Sequence, residues 1–109
     1  MPDAGDLIWV DFPGTVATKR RPAVVLSSND YHATRPDMIV GLVTSQIVKA
    51  GGLTDHILFD WNSAGLRKPS AFRAFLATLP RSAAVAIMGR LSPADWQAVR
   101  ECVKRAIAL

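Results

Sequence analysis

Lys19-Arg20-Arg21-Pro22-Ala23-Val24-Val25-Leu26-Ser27 changes character within a few residues. A cationic run stops at a proline and gives way to apolar side chains. This pattern predicts a basic loop entering a short strand over residues 23–27, apolar throughout as a strand covered on both faces is. Proline fixes φ and is tolerated where a strand begins, so Arg21 stands at the mouth of a sheet beside a rigid neighbour. A guanidinium held there suits a phosphate, because its planar fork offers several donors and stays protonated near neutrality. The competing reading is a solvated basic loop.

Around this stretch the chain reads mainly as strands. Leu7-Ile8-Trp9-Val10-Asp11-Phe12 is rich in β-branched and aromatic residues and ends at Pro13-Gly14, a turn signal. Met38-Ile39-Val40-Gly41-Leu42-Val43-Thr44 is a third strand, with His56-Ile57-Leu58-Phe59 and Val85-Ala86-Ile87-Met88 as shorter ones. Ser28-Asn29-Asp30-Tyr31-His32 is polar and turn-forming, with room for one helical turn. Near the end, Ser92-Pro93-Ala94-Asp95 supplies an N-cap oxygen, a proline at the first helical position and an early carboxylate. Trp96, Val99, Val103, Ala106 and Ile107 follow at helical spacing, so an amphipathic helix closes the chain against the sheet. Over residues 71–79, Phe72, Phe75, Leu76 and Leu79 fit a helix face better than strict alternation. Strands followed by one terminal helix, without βα alternation, predict an α+β, mainly β fold: a small antiparallel barrel or curled sheet.

With 109 residues, half of them hydrophobic, the chain is expected to form one domain over 1–109 around one core. Asp3 and Asp6 stand where a secretory signal needs positive charge, and no apolar run approaches the ~20 residues of a membrane span. The expectation is a soluble, cytoplasmic protein that does not engage a membrane. Cys102 is the single cysteine, which excludes a disulfide framework and reads as a structural thiol in the last helix. A net charge of +4 favours nucleic acid or an acidic protein as partner.

Several chemistries are poorly supported. His32 and His56 have no histidine or cysteine at ligand spacing, so no metal site or cofactor is expected. Ala50-Gly51-Gly52-Leu53 is a turn rather than a phosphate loop, and no Gly-x-Ser-x-Gly occurs. Metal-free phosphate chemistry remains. RNA brings its own nucleophile, the 2′-OH, so the protein needs donors around the phosphate, and Arg21 can stabilise charge in the transition state. Thr44-Ser45-Gln46 offers two hydroxyls and an amide at a strand exit, or is simple strand-end polarity. Trp61, near Arg67 and Lys68, either stacks on a base or caps the core. His56 is either an acid–base group or a structural histidine in an apolar strand.

These pieces together resemble the MazF/PemK family of type II toxin–antitoxin endoribonucleases. Gly5-Asp6-Leu7-Ile8-Trp9-Val10-Asp11-Phe12, Arg21-Pro22-Ala23-Val24-Val25-Leu26-Ser27 and Ile39-Val40-Gly41-Leu42-Val43-Thr44-Ser45-Gln46 carry the likeness in family order. Ala64-Gly65-Leu66-Arg67-Lys68-Pro69-Ser70 and Gly89-Arg90-Leu91-Ser92 are similar to the PemK-like branch. The resemblance implies a small SH3-like or CcdB-like barrel that forms a homodimer, with a strand rather than a helix over residues 71–79. It implies an mRNA interferase that cuts single-stranded RNA without metal, leaving a 2′,3′-cyclic phosphate and a 5′-hydroxyl. It makes Arg21 and Thr44 the catalytic pair, and an acidic antitoxin the partner that covers the RNA groove. Lys19, Arg20, Ser45, Gln46, His56, Trp61, Arg67 and Lys68 are the expected RNA contacts. The family's first loop is usually longer than residues 13–20 and often carries Glu-Gln before the Arg-Pro. A silent barrel binding nucleic acid or an acidic partner, and a CcdB-like toxin acting on a protein, are the alternatives.

Overall fold

The computed structural model describes residues 2–13 and 17–109. Six strands, β1 (Asp6–Pro13), β2 (Thr18–Val25), β3 (Asp37–Thr44), β4 (Asp55–Ile57), β5 (Ala71–Pro80) and β6 (Ala84–Arg90), form one antiparallel sheet in the order β4-β5-β3-β2-β1-β6. A short helix α1 (Asn29–Thr34) links β2 to β3, and α2 (Pro93–Ala106) ends the fold. The mainly β architecture with a terminal helix agrees with the sequence. The two edge strands, β4 and β6, are not hydrogen-bonded to each other, so the sheet curls without closing as a barrel.

Alternation along the strands sorts the core into two halves. Leu7, Val24, Val43 and Phe72 face one way, against Leu58, Ala64, Leu66 and the Val99 and Cys102 side of α2. Ile8, Val10, Phe12, Ala23, Val25, Met38 and Val40 face the other way and fill the hollow of the curl. A strand between two such layers must be apolar on both sides, which is why residues 23–25 show no polar alternation. At about 25 cal/mol per Å² of apolar surface, each fully buried Leu, Ile or Phe contributes about 1.5–3 kcal/mol.

Two expectations need correction. Lys19, Arg20 and Arg21 are not a loop: β2 begins at Thr18, pairs Lys19 with Phe12 and Arg20 with Asp11, and ends at Val25. The cations are tolerated because this half of β2 is bordered by β1 alone, and Arg20 reaches the Asp11 carboxylate at 3.2 Å. Residues 71–79 are strand, as the family resemblance implied and the helical spacing did not. β5 alternates, but both of its faces are packed, so Phe72 and Leu76 serve one core half while Ala77 and Leu79 serve the other. The expected turn at Gly14 and the middle of the first loop lie outside the described residues.

One buried carboxylate ties α2 to the sheet. Asp95, fully buried, accepts from the Phe59 and Asp60 amides at 2.8 and 2.9 Å and lies 2.8 Å from His56 Nε2. Ser92 Oγ caps the helix by accepting from the Asp95 amide at 3.2 Å. Burial alone would raise the Asp95 pKa; the two amides and His56 outweigh it and hold the group below its ordinary value. The Cys102 thiol goes the other way, pushed up by burial, as befits an inert core thiol. Among the described residues, no helix is long and apolar enough to cross a membrane.

Asp95→Ala should destabilise the fold by about 2–4 kcal/mol, since its donors lose their acceptor. A carboxylate with a depressed folded pKa adds stability above its unfolded value, near pH 4, and that stability is lost as pH falls through the folded value. Urea unfolding at pH 7 and pH 3 checks both points. Asp95→Asn should lose less stability on acidification than the parent; an equal loss would show that this pairing contributes nothing to the acid limb.

Candidate active site

The site forms where two strands part. β2 and β3 pair only through Ala23–Leu42, Val24–Gly41 and Val25–Val40. The ladder starts immediately after Pro22, whose nitrogen has no hydrogen to give. Continuing the same register by two residues brings Arg21 opposite Thr44, but there the strands are no longer joined. The two residues that the sequence singled out therefore flank one rift. Both are half-buried. Thr44 Oγ1 accepts the Gln46 amide at 3.1 Å, which folds the chain sharply at the strand end and presents Ser45 and Gln46 beside it.

The rift opens into a cleft of about 730 Å³. Arg20, Arg21, Thr44, Ser45, Gln46, Arg67 and Lys68 line it, and among the described residues no carboxylate does. Arg67 and Lys68 sit on a loop pinned at both ends. Leu66 is buried in the core and its amide donates to the Trp61 carbonyl at 3.1 Å; Ser70 Oγ donates back to the Lys68 carbonyl at 2.9 Å. Gly65 makes this loop possible: its φ of +100° suits glycine, and a side chain there would run into the Met88 backbone of β6. Arg21, Arg67 and Lys68, with Arg20 beside them paired to Asp11, give the cleft a net positive lining suited to a polyanion.

Three predicted contacts fall outside it. His56 lies on β4, only 13 % exposed, and is engaged with Asp95; the short strand offered no partner, but the fold supplies one from α2. Trp61 packs against the helix-side core instead of standing in the cleft. Lys19 is exposed but does not line the cleft. The aromatic that does line it is Trp9, 37 % exposed between Pro22 and Ala86. The signal was in the parity of β1: Trp9 shares a face with the polar Asp11, beyond the reach of the helix that covers Leu7. His32, the other histidine, meets Ser27 Oγ at 2.6 Å, away from the cleft. Among the described residues, no group of three or more His, Cys, Asp or Glu side chains gathers in a way that could hold a metal ion.

Residues 3–107 match the family described as PemK-like, MazF-like toxins of type II toxin–antitoxin systems. A comparison with curated proteins by sequence gave no match. Among solved structures, an endoribonuclease in complex with its cognate antitoxin, from a mycobacterial species, superposes with a TM-score of 0.83 at 18 % identity, covering 100 % of this chain and 97 % of that one. MazF from Deinococcus radiodurans gives a TM-score of 0.75 at 26 % identity, covering 99 % and 97 %. The MazE–MazF complex from the same organism gives 0.74 at 25 %, again covering 99 % and 97 %.

A cleft of this charge should take up short polyphosphate in a salt-dependent way and change the emission of Trp9. Titration monitored by fluorescence should give a signal that weakens with rising salt and is largely lost in Trp9→Phe. A salt-independent signal would argue against a charge-lined site.

Proposed function

The chain belongs to the PemK-like, MazF-like toxins of type II toxin–antitoxin systems, and on that premise we propose that it is a metal-independent endoribonuclease acting on single-stranded RNA. The observation that carries this reading is Arg21 facing Thr44 across the rift in a cation-lined cleft. An RNA phosphate seated between them would be held by the Thr44 hydroxyl and the Arg21 guanidinium. The neighbouring 2′-oxygen attacks phosphorus and gives up its proton; the 5′-oxygen leaves and takes one. The products are a 2′,3′-cyclic phosphate and a 5′-hydroxyl. Arg21 stabilises the charge that gathers on the non-bridging oxygens in between.

Neither histidine nor any carboxylate lines the cleft among the described residues, and both histidines are engaged elsewhere. Catalysis therefore rests on positioning and charge rather than on a side chain that titrates near neutrality. Arg20, Arg67 and Lys68 attract the RNA backbone, and Trp9 offers a stacking surface. The same charge suits an acidic antitoxin segment that competes with RNA for the cleft. A homodimer fits β6, an edge strand with Val85 and Ile87 54 % and 53 % exposed. With RNA as substrate, the cytoplasm is its place of action.

Arg21→Ala and Thr44→Ala should each lower the cleavage rate by about 10²-fold, the cost typical of removing one transition-state donor. Their unfolding midpoints should stay near that of the parent. A long transcript incubated in EDTA, with cut ends mapped, tests both variants; undiminished cutting by both sinks the assignment. The logarithm of the rate should climb steadily with pH from about 5 to 8, without the bend near 6.5 that a histidine base imposes. A plateau above that pH would require a histidine in the chemistry.

A further inference from the structure

The rift has a second mouth. On the side away from the main cleft, Arg21, Thr44 and Gln46 also line a smaller depression of about 250 Å³, together with Phe12, Leu42, Arg73 and Phe75. Drug-sized pockets run from about 300 to 1,000 Å³, so this one suits a single ring system rather than a length of strand.

Its floor is unusual for a sheet. In the β3–β5 ladder Leu42 pairs with Arg73, and the next residue, Gly41, pairs with Leu76. Ala74 and Phe75 are therefore extra residues in a bulge. Bulges of this kind re-aim side chains beside functional sites. Because two residues are inserted, parity is kept, and Arg73 and Phe75 look to the same side. The Phe75 ring is held against the buried Phe12 ring, centroids 5.7 Å apart and planes inclined at 54°, yet remains 46 % exposed. Arg73 is tethered through Nε to Asp55 at 3.6 Å. A half-exposed aromatic fixed from below, with a guanidinium and the Gln46 amide at the rim, has the makings of a stacking platform with edge-reading donors.

We infer that this depression is a nucleobase subsite: the base on one side of the phosphate held by Arg21 and Thr44 stacks on Phe75, and Arg73 and Gln46 contact its edge. The inference rests on the endoribonuclease reading and adds a specificity element to it. A strand crossing the rift leaves one nucleotide on each side of the phosphate. The main cleft takes one beside Trp9, and the smaller depression takes the other.

The test combines a protein change with a substrate change. On an RNA oligonucleotide spanning a mapped cut site, Phe75→Ala should lower kcat/KM by about tenfold or more. Phe75→Tyr, which keeps a stacking ring, should restore it. Removing the base immediately 5′ or 3′ of the cut should lower parental cleavage by a similar factor at one of these positions, and at that position Phe75→Ala should add no further loss. An equal Phe75→Ala penalty on the intact and both abasic substrates would overturn the subsite, as would no penalty at all. Binding separates this outcome from failure of the activity. With a random pool of single-stranded RNA 12-mers and no cleavage required, Phe75→Ala should weaken binding and Phe75→Tyr should not. Binding with that pattern but no cutting would overturn the activity and keep the subsite; cutting that ignores Phe75 would overturn the subsite and keep the activity.

Discussion

β2 and β3 run together for three residue pairs and then separate, and the functional architecture follows from that separation. Had the ladder continued through Pro22, Arg21 and Thr44 would stand in an ordinary sheet. Thr44, at the end of β3, and Arg21, in β2, would be paired neighbours across a closed ladder with no space between them. Parting the strands turns the same two positions into opposing walls, reachable from both faces of the sheet. The apolar triplet Ala23, Val24 and Val25 anchors the junction, because all three side chains are fully buried, in alternation, in the two core halves. The rift thus opens from a rigid hinge line, which is what a site needs if its geometry is to be held through a reaction.

The second support is remote from the chemistry. Asp95 joins the first turn of α2 to the backbone at Phe59 and Asp60, just before the loop that presents Arg67 and Lys68. Gly89 of β6 reinforces that loop from beside it, since a side chain at this position would collide with the Ala64 carbonyl. A buried carboxylate with several donors is specific in geometry because every donor it releases would remain desolvated and unpaired. Its role is to fix one loop, and through that loop one wall of the cleft.

Much of this was legible beforehand because it depends on local rules. The Ser92-Pro93 start of α2, the apolar run after Pro22 and the placement of Thr44 at a strand end all follow from residue types read a few at a time. What escaped depends on partners distant in sequence. β2 runs through Lys19 and Arg20 because Asp11 and Phe12 lie across from them, a pairing that the residue types beside residue 20 do not reveal. His56 finds Asp95, 39 residues away, and is engaged there, outside the cleft. The helical spacing around Phe72 misled because β5 is packed on both faces, where apolar residues lose their alternation and period alone cannot separate strand from helix. Of the two readings open for Trp61 the fold takes the core one, and Trp9 lines the cleft instead, a choice that depends on what packs over each ring.

A rift open on two faces also bears on how selectivity arises in so small a fold. Cations act on every phosphate alike, so under the proposed function Arg20, Arg67 and Lys68 would raise affinity without distinguishing one RNA from another. Discrimination requires contacts to base edges or base faces. The main cleft offers Trp9; the smaller depression offers Phe75 with Arg73 beside it, and Gln46 borders both. Trp9 on β1 and Phe75 on β5 thus stand at the two mouths of one rift. If the proposed subsite holds, a change at Phe75 alters what is read on one flank while leaving Arg21 and Thr44 in place. Such a separation of reading residues from the pair at the phosphate would let one sheet keep its chemistry while its sequence preference varies.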